Sequence, residues 1–388
     1  MTTAAASMNR ASETQRPDAQ ARRVPGAPVP RDMMAAVYCG KDDVRVKTVP
    51  VPAISPGELL VRVNTCGICG TDLKKISTGS HSAPRIFGHE IAGEVAAVGT
   101  GVTGFAVGDR VMVFHHIPCG NCYYCRHKVY AQCATYKKVG TTAGFEPSGG
   151  GFAEYIRVME NIVAGGVVRI PENVSYEQAS FIEPVNTCMK AIQTLAVQPG
   201  ETVLVIGQGA IGIILGVLAQ RAGARVVTSD LYEQRLTISR SLGLGDALNP
   251  ASQDVVEAVR ARTEGRGADA VILAVAVNTM IPVALQAARP GGRVMLFAQT
   301  AHSEVTIDPS LICVDEKTLL GSYSASADLQ EESARLVCSG EIDFARLITH
   351  RFPLAEAVAG FVLAAHPQPD SLKVVIQSEM DAPHAPGS

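Results

Sequence analysis

Short apolar runs separated by glycine and proline fill the chain from Met33 to about Arg169. Runs such as AAVYC, ELLVRVN, EIAGEVAAVG and RVMVF are rich in valine and end at turn residues. Runs of this length and composition are typical of β-strands joined by tight turns. The pattern therefore predicts an all-β, barrel-like region, which a cysteine-rich loop interrupts.

From about Ser175 to Tyr323, apolar strand-like runs alternate with helical patterns. The runs TVLVI, RVVTS, DAVILAV and RVMLF are strand-like, and a helical pattern begins at about Ala210, directly after the first of them. This alternation predicts a parallel sheet with helices on both faces. Beyond about Ala325 there are two helical segments and one last strand, KVVIQ. That strand is too isolated to form a domain, so we expect it to return to the first region.

The length of 388 residues exceeds what one ordinary hydrophobic core supports, which predicts two domains. We expect the first over residues 31–185 and 325–388, and the second over residues 186–324. Residues 1–30 lack the apolar stretch of a secretory signal and are rich in alanine, arginine and proline. This composition predicts a disordered tail.

Charge and cysteine usage exclude several classes of protein. The 34 basic and 37 acidic residues give a net charge of −3, so no basic excess favours nucleic acid or an anionic membrane as partner. No uninterrupted apolar run reaches the roughly 18 residues of a membrane span. Ten cysteines in a long chain without a secretory signal indicate metal binding rather than disulfides, which favours a cytoplasmic location.

A glycine motif, G-x-G-x-x-G, follows the strand-like run TVLVI and opens a helical pattern. It comprises Gly207, Gly209 and Gly212, with Ala210 and Ile211 at the start of the helix. The first glycine permits the turn, the second lets a pyrophosphate approach the backbone, and the third packs helix against strand. The helix N-terminus adds N–H donors and a positive dipole end. The context therefore predicts a dinucleotide site.

The acidic residue Asp230 ends the next strand-like run, RVVTSD. A carboxylate there can accept hydrogen bonds from both ribose hydroxyls and would repel a 2′-phosphate, which favours NAD over NADP. A helix-capping role for the same residue is the alternative. Arg235, one turn later, could assist a 2′-phosphate and leaves the cofactor preference open.

Four closely spaced cysteines give the strongest chemical signal: Cys119, Cys122, Cys125 and Cys133. Four thiolates at this spacing can enclose zinc tetrahedrally with no open position, as in structural sites. A [4Fe–4S] cluster is the competitor, but its motif continues with a cysteine–proline pair four residues on, whereas here the fourth cysteine is eight residues on. The spacing favours a structural zinc.

A second, dispersed set of candidate ligands comprises Cys69, His89, Glu90 and Glu183. A thiolate, an imidazole and a carboxylate with one open position make the ligand pattern of a catalytic zinc. Each residue alone has an ordinary structural explanation, such as a small core residue or a charge at a helix N-terminus. Spacing cannot bring Glu183 to His89, more than ninety residues away.

From Met33 to Gln377 the sequence resembles the zinc-dependent medium-chain dehydrogenase/reductase superfamily, and within it the sorbitol, threonine and butanediol dehydrogenase group. The resemblance is carried by CGTD at residues 69–72, GHE at 88–90, the spaced cysteines, Glu183-Pro184, and the glycine motif with Asp230. It implies an α/β protein with a GroES-like β-barrel catalytic domain and a Rossmann domain, whose doubly wound parallel sheet binds NAD.

The resemblance also implies site roles. Cys69, His89 and Glu183 match the catalytic zinc ligands, and Glu90 matches a glutamate that enters the ligand shell during exchange. The four spaced cysteines match a second, structural zinc, so two zinc ions per subunit are expected. Thr71 would relay the proton of the substrate hydroxyl, and Asp72 would orient the His89 ring.

The activity implied is oxidation of a secondary alcohol in a polyol, amino alcohol or cyclitol to a ketone, with hydride transfer to NAD. One departure concerns the proton path, because Lys74 stands where many relatives carry a histidine. Lys74 and Lys75 could relay a proton or bind cofactor phosphate, and exposure to solvent explains both equally well.

Two other functions compete with this interpretation. One is an NADPH-dependent reductase of a carbonyl or double bond, and the other is a non-catalytic, NAD-binding zinc redox sensor. The full ligand set opposes the first, and Thr71 opposes the second because sensing needs no proton relay. The resemblance implies a homotetramer or homodimer acting on a small-molecule alcohol.

Overall fold

The computed structural model describes residues 28–114, 116–138, 150–298 and 304–378. Residues 1–27, most of the tail predicted to be disordered, lie outside these ranges. Within the described part, the strands form three sheets of three, six and seven strands.

The described strands range in length from two to nine residues. They are β1 (Asp32–Gly40), β2 (Asp43–Pro50), β3 (Leu59–Gly67), β4 (Arg85–Ile86), β5 (Glu90–Val98), β6 (Arg110–Val113), β7 (Tyr155–Val158), β8 (Val167–Arg169), β9 (Thr202–Ile206), β10 (Arg225–Ser229), β11 (Asp246–Leu248), β12 (Ala268–Leu273), β13 (Ala288–Leu296), β14 (Thr318–Gly321), β15 (Ile348–Pro353) and β16 (Lys373–Gln377).

The helices are short in the first third of the chain and longer in its middle. They are α1 (Gly70–Thr78), α2 (Tyr123–Arg126), α3 (Ala134–Lys138), α4 (Glu160–Gly165), α5 (Tyr176–Ala179), α6 (Ile182–Leu195), α7 (Ala210–Arg221), α8 (Glu233–Ser241), α9 (Val255–Ala261), α10 (Met280–Ala287), α11 (Ser310–Cys313), α12 (Gln330–Cys338) and α13 (Ala357–Ala365). Four 3₁₀ turns lie between them, at Tyr130–Gln132, Ala327–Leu329, Phe344–Leu347 and Leu354–Glu356.

The middle of the chain forms the predicted parallel sheet, with strand order β11-β10-β9-β12-β13-β14. All five pairings in it are parallel. This order is 3-2-1-4-5-6 when the strands are counted from β9, the order of a dinucleotide-binding sheet. The order reverses between β9 and β12, so a crevice opens where β9 ends and the glycine motif begins.

The first part of the chain forms the two mainly antiparallel sheets. The smaller has the order β2-β1-β4, and the larger has the order β15-β16-β3-β5-β6-β8, with β7 also paired to β3. The strand β16 pairs with β3, placing Val375 opposite Gly67, as the isolated position of this strand in the sequence predicted. The exact domain boundaries given above stay a prediction.

One hydrophobic core spans both parts of the chain and contains helix α6. It joins Met112 and Phe114 from the antiparallel part to Val203 and Val205 of β9, and Val185 of α6 is completely buried in it. This packing fixes the start of α6 beside the antiparallel sheet. The position of Glu183, in the first turn of α6, follows from it.

Candidate active site and metal centres

Three potential metal ligands meet where α1 and β5 begin. Cys69 immediately precedes α1, His89 immediately precedes β5, and Glu90 is the first residue of β5. One sulfur, one ring nitrogen and one carboxylate oxygen of these residues lie within 4.8 Å of one another. His89 and Glu90 are buried, and Cys69 is half-buried. The structure thus brings together three of the four side chains predicted for the open metal site.

A buried carboxylate orients the histidine of this set. The Asp72 side chain is fully buried, and its Oδ1 lies 3.2 Å from Nδ1 of His89. Lys75 reaches the same Asp72 oxygen at 3.6 Å and also lies over the Phe87 ring. Lys75 is therefore more than a solvated surface lysine, the role that exposure alone would have given it.

The electrostatics of the pocket favour a cation. Burial alone would lower the pKa of His89, but the charges of Asp72 and Cys69 raise this pKa well above its usual range. Asp72 Oδ2 is buried and has no hydrogen-bond partner among the residues that the structure describes. The pocket therefore favours positive charge on the imidazole, and it contains a buried carboxylate oxygen that lacks a donor. A bound cation would balance this excess of negative charge. These donors fit zinc.

Glu90 is fixed from behind by a lysine of the last strand. The buried Lys373 ammonium forms an ion pair with Glu90 Oε2 and donates to the Ile68 carbonyl at 3.1 Å. A Cβ atom on Gly67 would collide with Glu90 Oε2 and would lie 2.8 Å from Cε of Lys373. Only glycine leaves the space in which this ion pair forms.

Glu183 lies near the set but outside it. Its side chain is buried, and burial raises its pKa to about 7, an increase that His89 opposes and Glu90 reinforces. Among the described residues, the group whose ligand atoms all lie within 4.8 Å comprises Cys69, His89 and Glu90 and does not include Glu183. Glu183 is therefore within electrostatic reach of the histidine without being at ligand distance.

Thr71 also faces the pocket. Its Oγ1 lies 3.5 Å from Nε2 of His89, and the residue is half-buried in the first turn of α1. The hydroxyl is therefore close to the imidazole nitrogen on the side away from Asp72, where a metal ligand atom must point.

The four spaced cysteines converge in a small lobe built by α2, the 3₁₀ turn Tyr130–Gln132 and α3. Their sulfur atoms all lie within 4.8 Å of one another, and Cys122 and Cys125 are 3.5 Å apart. None of the ten cysteines forms a disulfide. Four free thiols at this separation fit a tetrahedral zinc with no open position.

The glycine motif takes the geometry that a dinucleotide needs. Gly207 has φ +98° directly after β9, and a Cβ atom on Gly212 would collide with the Gly207 carbonyl, so α7 packs tightly against the turn. A Cβ atom on Gly209 would meet nothing within 4 Å, which shows that the face of the loop at this position is open. Ala210 and Ile211 lie in the first turn of α7, where backbone N–H groups have no partner within the helix and can bind an anion.

Asp230 is positioned by the backbone on both sides. Its Oδ2 accepts a hydrogen bond from the Gln208 N–H at 2.6 Å, and its Oδ1 accepts from the Tyr232 N–H at 2.9 Å. Arg235 lies 3.9 Å from Oδ2 and stacks over the Tyr232 ring. The carboxylate and the guanidinium that the sequence singled out are thus adjacent at the end of β10.

The fold and these sites can be compared with known proteins. Two family models match: the alcohol dehydrogenase GroES-like domain over residues 55–172 and the zinc-binding dehydrogenase domain over residues 210–338. The chain is 30% identical to a sorbitol dehydrogenase of Bacillus subtilis, covering 90% of this chain and 98% of the relative. It is 33% identical to a D-altritol 5-dehydrogenase of Agrobacterium fabrum, covering 89% and 100%.

Solved structures agree with these matches. A Sinorhizobium meliloti protein solved bound to NADP superposes with a TM-score of 0.80 at 29% identity, covering 89% of this chain and 99% of that one. The chain belongs to the zinc-dependent medium-chain dehydrogenase/reductase family. The predicted fold class, a GroES-like domain with a Rossmann parallel sheet, is confirmed for this dehydrogenase.

The predicted activity class is confirmed as well. The dehydrogenase is an oxidoreductase that acts on small alcohols as CH–OH donors, oxidising a secondary alcohol with zinc and a nicotinamide dinucleotide. These relatives support oxidation rather than the sensor or the double-bond reductase considered above. No helix within the described ranges has the length and apolar character needed to cross a bilayer.

Two residues of the dehydrogenase sites, Lys373 and Gln208, were not predicted from the sequence. Lys373 is a charged residue inside the apolar run SLKVVIQ, and a buried charge in a strand is a signal that could have been used. Gln208 is completely buried, and its side-chain oxygen accepts from the Ser239 hydroxyl at 2.9 Å, which steadies the glycine turn. Gln208 occupies a position of the glycine motif at which any residue is allowed, so the motif does not indicate its contact with Ser239.

Proposed function

We propose that the dehydrogenase oxidises a secondary alcohol in a polyol, amino alcohol or cyclitol to the ketone, with NAD rather than NADP as hydride acceptor. The observation that carries the proposal is the meeting of Cys69, His89 and Glu90 within 4.8 Å, in a buried pocket that favours a cation. The relatives named for sorbitol and D-altritol support a polyhydroxylated substrate.

We propose that Cys69 and His89 are the permanent ligands of the catalytic zinc. In this conformation Glu90 is the carboxylate within reach, and Glu183 is the buried carboxylate beside it. We assign the third ligand position to these two glutamates, one replacing the other as substrate or water exchanges. The four cysteines of the lobe, Cys119, Cys122, Cys125 and Cys133, would hold the structural zinc.

When bound, zinc supplies a Lewis acid that polarises the alcohol oxygen, and NAD supplies the hydride acceptor. The chain's own residues orient this chemistry. Asp72 accepts the hydrogen of His89 Nδ1 and so leaves Nε2 to face the metal, which fixes the tautomer of the ring. We assign to the Thr71 hydroxyl, which lies 3.5 Å from that same Nε2, a relay of the substrate's hydroxyl proton. It would accept that proton while passing its own toward the cofactor ribose.

The cofactor would lie along the crevice beyond β9. We propose that the N–H groups around Gly207, Gly209 and Gly212, with those of Ala210 and Ile211, hold the pyrophosphate. Each oxygen of Asp230 accepts one backbone N–H, from Gln208 or from Tyr232, and keeps a further lone pair. These lone pairs would accept hydrogen bonds from the ribose hydroxyls. Arg235 would hold the carboxylate in place by its charge.

For the assembly we propose a homotetramer or homodimer. The parallel sheet ends at β14, whose neighbourhood carries the exposed apolar residues Leu319, Val314 and Tyr323. An edge strand with exposed apolar side chains is suited to pairing with a second copy. The reduced cysteines support a cytoplasmic location, and the net charge of −3 favours neither nucleic acid nor membrane as partner.

A substrate panel tests the proposal. The zinc-loaded enzyme is mixed with NAD or NADP and with sorbitol, D-altritol, 2,3-butanediol, L-threonine or myo-inositol, and the absorbance of reduced cofactor is recorded. We expect turnover of at least one secondary alcohol with NAD, loss of turnover after chelation, and recovery with zinc. Zinc and NAD binding without turnover of any alcohol or ketone would favour the sensor, and activity confined to NADPH-dependent reduction would favour the reductase.

A further inference from the structure

Tyr136 lies between the two candidate metal sites. It follows Cys133 by three residues and packs with Cys125, Ala131 and Cys133 in the small hydrophobic cluster of the lobe. The side chain is 5% exposed, so the ring points into the protein rather than out of the cysteine lobe. Tyr136 thus packs against cysteines of the lobe and extends its ring into the protein interior.

The ring of Tyr136 makes two further contacts on the side of the open site. It stacks on the His116 ring, with centroids 5.0 Å apart and planes 21° apart. Its hydroxyl is 2.7 Å from the Ser324 hydroxyl and 3.5 Å from the Ala325 carbonyl.

Helix α6 forms hydrogen bonds with the segment that Tyr136 contacts, residues 323–326. Asn186 donates to the Ser326 carbonyl at 3.1 Å and accepts from the Ser326 N–H at 2.7 Å. Lys190 donates to the Tyr323 carbonyl at 2.7 Å. We call residues 323–326 the crossover segment, because they lead from the parallel sheet back to the antiparallel part of the chain.

The same helix carries Glu183 in its first turn, three residues before Asn186. A continuous set of contacts therefore runs from Cys133 through Tyr136 and the crossover segment to the start of α6. The Asn186 contacts are buried, the contact of the Tyr136 hydroxyl with Ser324 is partly buried, and the Lys190 contact is exposed. The buried part of the set is close-packed and leaves little free volume in which a displacement could be absorbed.

We propose that Tyr136 is a positioning residue that couples the four-cysteine site to the open donor set. Metal at the four cysteines fixes Cys133 and therefore the Tyr136 backbone. The Tyr136 hydroxyl then holds the crossover segment against α6, so that Glu183 stays beside His89. The lobe thus contributes to the geometry of the reaction in addition to the stability of the fold. The inference rests on the proposed function, since both donor sets are taken to hold zinc.

The lobe supplies a matched control residue. Tyr130 also joins the lobe to this region, through a hydrogen bond of 2.6 Å from its hydroxyl to Asp328 Oδ1, while Lys128 lies 3.1 Å from Oδ2 of the same carboxylate. That bond is exposed, and the ring that stacks on His116 is that of Tyr136. Tyr130→Phe therefore removes an equivalent hydrogen bond without touching the contacts that lead to Glu183.

The first experiment compares Tyr136→Phe with Tyr130→Phe in the full-length enzyme. Steady-state kinetics are measured with zinc in both sites, and the visible spectrum is measured with cobalt in the open site. We expect Tyr136→Phe to lower kcat about tenfold and to change the cobalt spectrum, with KM for NAD within about twofold. Tyr130→Phe should change neither. Equal kcat and equal spectra for the two variants would overturn the proposal.

Ser324→Ala removes the same hydrogen bond from its other end and serves if Tyr136→Phe does not fold. The double variant with Tyr136→Phe should be no worse than either single variant, because both remove one interaction. Fully additive losses in kcat would contradict the assignment. The cobalt spectra remain comparable even if the wild type oxidises no alcohol, so failure of the proposed function is distinguishable from failure of this inference.

Coupling must also be reciprocal. Zinc affinity of the four-cysteine site is measured by chelator competition in the wild type and in Cys69→Ala, whose open site is disabled. We expect the four-cysteine site to bind zinc several-fold more weakly in Cys69→Ala, and this difference to vanish in the Tyr136→Phe background. An affinity that is independent of Cys69 in both backgrounds would show that the two sites are not coupled.

Discussion

Asp72 Oδ1 lies 3.2 Å from Nδ1 of His89, in a position from which solvent is excluded. The same oxygen is 3.6 Å from the Lys75 ammonium. A carboxylate that orients one ring while sharing a lysine stays charged, and the pKa of Asp72 is lowered despite its burial. The histidine that faces the metal pocket is therefore fixed by a permanent negative charge.

Replacing that charge tests its role. Asp72→Asn keeps the volume but removes the acceptor charge, and we expect zinc retention at the open site and kcat/KM to fall about 10- to 100-fold. Elemental analysis after dialysis against a chelator, together with steady-state kinetics, measures both. Asp42→Asn, at an exposed turn, is the control and should match the wild type. Full zinc retention in Asp72→Asn would contradict the orienting role.

Substitutions in the open site and in the four-cysteine site should have different effects on activity and on stability. Cys69→Ala should lose activity and one zinc per chain, because it removes a ligand of the open site. Cys122→Ala should lose the other zinc and lower the melting temperature, since a closed site contributes its binding free energy to folding. Cys313→Ala, an exposed cysteine outside both sets, is the control. Unchanged zinc content in Cys69→Ala would refute its assignment as a ligand.

Gly67→Ala tests the ion pair behind Glu90. The added methyl group would collide with Glu90 and press on Lys373, so we expect a loss of about 1–3 kcal/mol in the free energy of unfolding and a strong loss of activity. Gly245→Ala adds the same methyl group where nothing lies within 4 Å and should be nearly neutral. Denaturant unfolding and kinetics of both variants give the comparison. Wild-type behaviour of Gly67→Ala would show that the pair is dispensable.

Asp230 should select the cofactor. Asp230→Ser removes the charge that would repel a 2′-phosphate and releases Arg235, which lies 3.9 Å away, to bind that phosphate. We expect the ratio of kcat/KM for NAD to that for NADP to fall by about tenfold. Glu233→Ser removes an acidic residue from the first turn of the adjacent helix α8 and should leave the ratio unchanged. A ratio unaffected by Asp230→Ser would dismiss Asp230 as the selector.

A partly buried ion pair between Glu58 and Arg157 predicts part of the acid sensitivity. Although burial opposes the change, Arg157 and the Ser55 N–H lower the pKa of Glu58 from 4.5. The stabilisation is complete above pH 4.5 and is lost as pH falls through the lowered pKa of the folded state. Glu58→Gln should cost about 2 kcal/mol at neutral pH, the order expected for losing hydrogen bonds to a charged group, and should flatten the acid limb of stability against pH.

Chemical denaturation of wild type and Glu58→Gln between neutral and acidic pH checks this expectation. Asp43→Asn disrupts the exposed ion pair with Arg45 and serves as the control, with no change expected. Parallel pH profiles for wild type and Glu58→Gln would show that this pair does not contribute to acid unfolding.

Local pattern was sufficient for much of the fold and for one metal site. The apolar strands and the glycine turn after β9 predicted the parallel sheet because buried strands and tight βα turns restrict residue choice. The four cysteines could be grouped because all lie within one lobe of the chain. The open set could not be assembled from spacing, since Glu183 and His89 are brought together only by the packing of α6.

Contacts between distant segments were the part that sequence could not supply. The ion pair of Lys373 with Glu90 and the hydrogen bond of Tyr136 with Ser324 each join residues more than 180 positions apart. A lysine inside an apolar strand indicates a buried charge but does not indicate its partner, and a tyrosine such as Tyr136 would suit an exposed surface equally well. Their roles follow from burial, which only the folded structure reveals.

The pairing of β16 with β3 has a consequence for how the protein is made. The cation that neutralises Glu90 is contributed by the strand nearest the carboxyl end, while the residues it serves are synthesised some 280 positions earlier. A nascent chain on the ribosome carries the thiol, the imidazole and an uncompensated acid long before Lys373 emerges. The pocket thus acquires its final charge only after Lys373 has been synthesised, and products terminated before this residue lack it.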